Sequence, residues 1–136
     1  MHLLAALLFG LVAGLRTFTG EGLYFGLRGG AMGIVFPILA LGEYAVDLLP
    51  RTPARTQIGP MLARCASGAF MGWTLARVPG IFIGIIGALL ATFGGYRMRI
   101  AWIDRIGAVP AAILEDVLAI ALAFAALVAA GLRFSV

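Results

Sequence analysis

The sequence predicts an all-α membrane protein, a polytopic transmembrane helix bundle of about five segments. Three observations predict it. The 136 residues are 62% hydrophobic and only 12% charged, where a soluble domain carries about 25% charged residues. Apolar stretches recur along the whole chain, at lengths that suit helices crossing or entering a bilayer. No polar stretch is long enough to build a core of its own, so residues 1–136 read as one transmembrane domain.

The first segment, Leu3 to Leu15, is short for a span and stops at Arg16. "MHLLAALLFGLVAGL" has no basic leader and no small-x-small cleavage site, so it reads as a retained helix and not a signal peptide. "RTFTGEGLYFGLRGG" follows, with two Arg, one Glu and five Gly, and reads as a helix break or a re-entrant turn. Within it Thr17, Thr19 and Glu21 are expected in a solvated turn. The second helix covers Ala31 to Leu49, and the Pro-rich "PRTPARTQIGP" makes a loop.

The third segment, Met61 to Ala76, is rich in small residues and is expected at the bundle centre. "VPG" at Val78 to Gly80 breaks the chain. The fourth helix covers Ile81 to Tyr96, with a Gly-rich face, and Tyr96 and Trp102 suit an interface belt. The fifth, Ala111 to Leu132, is a full span with Glu115 and Asp116 near its start.

An internal repeat is suggested by order. Gly14-Leu15-Arg16 precedes Pro37 and Glu43; Gly95-Tyr96-Arg97 precedes Pro110 and Asp116. Repeats over 1–50 and 80–132 about a linking helix at 60–77 would be inverted copies, a common build of transporters. Against it, Gly-x-Arg also occurs at Arg28 and Arg133, and Asp47 has no counterpart.

The charges inside helices are the candidate site: Arg16, Glu43, Asp47, Arg64, Arg97, Glu115 and Asp116. An acid at the bilayer centre costs about 2.5–3.5 kcal/mol on insertion scales, so it needs a partner or a task. Glu43 and Asp47 share one helical stripe. Glu115 and Asp116 point about 100° apart, so at most one faces a given groove, and the repeat favours Asp116. Arg16, Arg97 and Arg64 are the natural partners. Two readings stay open: ion pairs that fix the bundle register, or a polar site that binds a solute or carries protons.

Several classes are disfavoured. All ten basic residues are Arg and the net charge is +4; in so apolar a chain this suits anionic headgroups and not nucleic acid. One His and one Cys exclude a His/Cys metal cluster and an internal disulfide within one chain. Cys65 has no His near it in sequence to activate it, and Ser67 and Thr74 are expected to bond back to their own helix. No nucleophile-and-base set can be assembled, so an enzyme is the less favoured class, and no cofactor or metal is expected.

"AGLRTF", "LALGEYAVDLLPRTPARTQIGPMLARCASGAFMG", "GALLATFGGYRMR" and "AILEDVLAIALA" together resemble the bacterial integral membrane family numbered 4126 among the domains of unknown function. The resemblance spans most of the chain, and departs where Asp47-Leu48 replaces the usual Asp-Lys. It implies a small integral membrane protein and no activity.

The expectation is therefore a transporter or channel for a small polar or anionic solute, with Arg16 and Arg97 binding it and Glu43 and Asp116 gating or taking protons. A structural or accessory membrane protein is the alternative, and a lipid-headgroup enzyme comes last. Membrane lipid is the expected partner, and a homodimer joined by Gly and Ala faces is expected. Arg51, Arg55, Arg64, Arg99 and Arg105 would lie on the N-terminal side, which places the N-terminus in the cytoplasm of a bacterial inner membrane.

Overall fold

A computed structural model describes residues 1–47 and 56–132, with the backbone alone of Asp47. Every regular element among the described residues is an α-helix: α1 (His2–Leu15), α2 (Thr19–Arg28), α3 (Met32–Asp47), α4 (Ile58–Ile106) and α5 (Ala108–Ala129). Two of them, α4 and α5, are long and apolar enough to cross a membrane.

The helix α4 is not one rod. Ala76 (φ −139°, ψ 17°) and Arg77 (φ 56°, ψ −139°) leave helical geometry and reverse the chain. The two arms, 58–75 and 78–106, lie antiparallel. Gly72 meets the backbone of Gly80, and Gly68 meets that of Gly84. A Cβ at any of these four glycines would overlap the opposing main chain, so glycine is what permits the contact. The break expected at Val78 to Gly80 is therefore a hairpin turn at Ala76 and Arg77. The second arm runs ten residues past the expected end at Tyr96, because no breaker intervenes before Gly107, at φ 91°. Pro110 then falls in the first turn of α5, where no intrahelical N–H is needed.

Small residues order the bundle. Gly10 of α1 lies on Gly84, and Gly14 lies on Ala88 and Thr92, so α1 runs parallel to the second arm. Gly20 meets Phe9 and Val12, and Tyr24 meets Phe9 edge-on at 5.7 Å, so α2 returns antiparallel to α1. Gly22 against Ala40, and Gly33 against Phe25, bring α3 back alongside α2. Asp116 sits by Arg16 and Leu127 by Phe9, so α5 is antiparallel to α1.

These directions correct three expectations. The helix break falls at residues 16–18, but Thr19 and Glu21 lie buried in α2 and not in a solvated turn. The inverted repeat does not survive: α1 and the second arm, which it would match, run parallel, whereas α3 and α5 run opposite ways. No single rotation relates both pairs. The N-terminus also lies at the end of the bundle opposite Arg99 and Arg105, because α2 adds a return pass. Many of the small residues pack within the chain, Gly10, Gly68, Gly72, Gly84 and Ala88 among them, while Gly42 and Gly94 face open space. Arg51, Arg55 and most of the 50–60 loop lie outside the described residues, as does Arg133.

The core mixes a few large side chains, Phe9, Met71 and Leu127, with many small ones. Ala5, Ala6, Ala88, Ala119 and Ala123 are fully buried, while Ile34, Leu41, Phe82, Leu90, Val117 and Phe124 face outward. Polar groups gather toward one end, around residues 16–21. An aromatic cluster of Phe9, Tyr24, Phe25, Phe36 and Phe70 fills the other.

Candidate functional site: the break between the first two helices

The helix α1 ends because Arg16 turns extended (φ −140°, ψ 116°). Residues 16–18 then cross the bundle as unwound chain before α2 begins. Buried non-helical backbone is costly unless each N–H and C=O finds a partner. Glu43 supplies two of them. Its Oε1 accepts the Thr17 N–H at 2.7 Å and its Oε2 accepts the Phe18 N–H at 2.9 Å. The carboxylate also faces the N-terminal end of α2, where the helix dipole favours negative charge. Ser67, from the first arm of α4, donates to the Thr17 carbonyl oxygen at 2.7 Å. The break is thus held from both sides.

Arg16 is 3% exposed. Its Nε donates to Asp116 Oδ1 at 2.9 Å, and its Nη2 donates to the same oxygen. The guanidinium lies 4.6 Å from the ring centroid of Tyr44, a cation–π contact. Tyr44 Oη in turn pairs with Thr19 Oγ1 at 3.3 Å. Tyr44 therefore belongs to the site. It also lines an apolar groove of about 340 Å³ with Thr19, Leu23, Pro37 and Ile120, between α2, α3 and α5.

The two adjacent acids of α5 serve different arginines, as their angular separation requires. Asp116 takes Arg16; Glu115, fully buried, takes Arg99 Nη1 at 3.2 Å. Arg64 is buried on the first arm and donates to the Pro60 carbonyl oxygen of its own helix at 3.4 Å. Arg97 is not in the site. It is exposed on the second arm, beside Leu90 and Phe93. Arg99, two residues on, is the one that turns inward. Asp47 ends α3, and its side chain lies outside the described residues.

Two groups were undervalued by sequence reasoning. Ser67 bonds across the bundle and not to its own helix, although Thr74 does donate back to Phe70 at 2.9 Å. Glu21 is 1% exposed and reaches Ser67 Oγ. A signal for it existed: Glu21, Tyr24 and Arg28 recur at helical spacing, and Arg28 Nη1 bonds Tyr24 Oη. The five glycines of that stretch masked it.

The site can hold charge away from water. It presents a guanidinium over an aromatic ring, the Asp116 carboxylate bonded to it, and a polar main-chain segment beside both. Such an arrangement suits exchange of one anion for another at Arg16, or proton uptake by the acid that releases it. No family model matches this chain, and neither a curated protein nor a solved structure matches it.

Proposed function

We propose that the protein is a small integral membrane protein of the bacterial inner membrane that moves a small anionic solute, with Arg16 as the docking charge. The observation that carries this reading is the Arg16–Asp116 ion pair, seated where a helix is interrupted inside the bundle. Discontinuous helices with polar main chain at mid-depth are how many transporters build their sites.

Membrane placement rests on the outward-facing large apolar side chains and the small-residue interior. Depth follows from helix geometry. Asp116 lies about 12 Å from the start of α5, a helix about 33 Å long, so the pair sits inside the hydrocarbon layer. Arg97, Arg99 and Arg105 lie in the last third of the second arm, toward the polar end. That end is therefore assigned to the cytoplasm and the N-terminus to the opposite side, the reverse of the sequence-based expectation. A homodimer remains part of this reading, since so few helices enclose a pathway poorly.

Solute entry requires Asp116 to let go of Arg16, by competition with the solute. Glu43 has a different task, for it is committed to two main-chain amides and holds the break in shape. The family resemblance adds no activity to this reading.

The test is flux in proteoliposomes with a panel of small anions: chloride, fluoride, formate, acetate and phosphate. Arg16→Gln is expected to cut the transported anion's flux tenfold or more, while Arg16→Lys retains part of it. Thermal stability is measured alongside. Removing one partner of a buried pair costs about 3–5 kcal/mol, and Arg16→Gln with Asp116→Asn together should recover part of that. Absence of flux across the panel, or full flux in a folded Arg16→Gln protein, refutes the proposal.

A further inference from the structure

Glu21 and Ser67 carry a hydrogen-bond imbalance. Ser67 Oγ lies within reach of two acceptors at once, the Thr17 carbonyl oxygen at 2.7 Å and Glu21 Oε1. A serine hydroxyl has one hydrogen to donate. If Glu21 were a carboxylate, two acceptors would compete for that hydrogen. Its second oxygen, Oε2, is buried with no hydrogen-bond partner, and would hold its share of a negative charge with no donor. Such a group is expensive to bury.

One added proton removes the conflict. Glu21 Oε1–H then donates to Ser67 Oγ, and Ser67 Oγ–H donates to the Thr17 oxygen. The donors run in one direction, and the oxygen left without a partner is a neutral carbonyl. The groups that act on Glu21 are Ser67, its own main-chain N–H and Glu43, and none of them is a cation. Glu43, from α3, bears the same sign and acts unfavourably on a charged Glu21. Arg16, from the break, is engaged by Asp116 of α5. Arg64, one turn before Ser67 on the same arm, donates to Pro60.

We propose that Glu21 is a proton-binding site built into the break, occupied at neutral pH and read out through Ser67. This deepens the solute reading above and rests on it for its purpose, though not for its chemistry. On release, the Oε1–H bond breaks, the proton passes to water at the polar end, and Glu21 gains one negative charge. Ser67 then turns its hydrogen to Glu21 and the Thr17 carbonyl loses its donor. The unwound segment that carries Arg16 is loosened by that loss. Proton occupancy of Glu21 and the position of Arg16 are thereby coupled.

Infrared spectroscopy of the reconstituted full chain tests it. At neutral pH the wild type is expected to show the C=O stretch of a protonated carboxyl, shifted in heavy water. Glu21→Gln should abolish that band, whereas Glu43→Gln and Asp116→Asn should leave it. Should Glu21→Gln fold poorly, Ser67→Ala serves instead: it removes the acceptor and should raise the frequency of the band. A wild type without the band, or a band indifferent to both Glu21→Gln and Ser67→Ala, overturns the assignment. In proteoliposomes, the Glu21→Gln protein should still equilibrate the solute but no longer respond to a pH gradient. A gradient response that survives Glu21→Gln also overturns it. Wild-type protein with the band but no anion flux would sink solute transport and leave the proton site standing.

Discussion

At the scale of single residues, Glu43 shows how an expensive group becomes structural. Its two oxygens take the Thr17 and Phe18 amides, so its charge is spent on backbone that no helix satisfies. The replacement matters more than the loss of charge. Glu43→Gln keeps one acceptor oxygen and replaces the other with a donor that faces an N–H. Glu43→Ala leaves both amides without an acceptor. Each buried donor abandoned costs about 1–3 kcal/mol. Thermal unfolding in detergent should rank wild type above Gln and Gln above Ala. An Ala variant as stable as wild type would show that the break does not depend on this cap. The charges of Arg16 and Asp116 are read differently, because they bond each other side chain to side chain.

At the scale of elements, close helix approach is the main source of cohesion. In a bilayer the hydrophobic effect does not drive helices together, and packing must do so. The arms of α4 touch backbone to backbone at Gly72 with Gly80 and at Gly68 with Gly84, and α1 joins them at Gly10. Gly72→Ala or Gly84→Ala inserts a methyl where a carbonyl oxygen stands, and the arms must separate. Overpacking of this kind costs about 1–3 kcal/mol or more. Gly94→Ala, on the same α4, meets open space and should be neutral or gain about 0.5–1 kcal/mol from helix propensity. Melting temperatures of the three variants check this. Equal losses at positions 84 and 94 would mean that the glycines act through helix propensity and not through contact.

At the scale of the whole molecule, α2 decides orientation. It is a 10-residue helix, about 15 Å long, too short to register as a span. Yet it turns the chain back, and so places the N-terminus and Arg105 at opposite ends. With Cys65→Ser as background, His2→Cys and Ile106→Cys should label from opposite sides of sealed vesicles with a membrane-impermeant thiol reagent. In inside-out vesicles of the inner membrane, the cysteine at position 106 should react and the one at position 2 should not. Labelling of both from one side would restore the simpler five-pass topology. It would also remove the basis for placing the polar end in the cytoplasm.

Composition and local pattern were enough for the helical class, for α1 and α3 within a residue or two, for the Gly-rich faces, and for Arg16 and Asp116 as candidates. These depend on local propensities and on the cost of charge in an apolar chain, both properties of neighbouring residues. The same reasoning could not choose which acid meets which arginine. Arg97 and Arg99 differ by two positions, and only the facing of the second arm toward α5 selects Arg99 for Glu115. It could not find Glu21 and Ser67 as partners, because they lie on different helices and meet only once α2 folds back. Nor could it exclude the repeat, since order along a chain is blind to direction in space. Charges and glycines are written one at a time in the sequence; which of them touch is set by helix directions, and those are fixed by packing across the bundle.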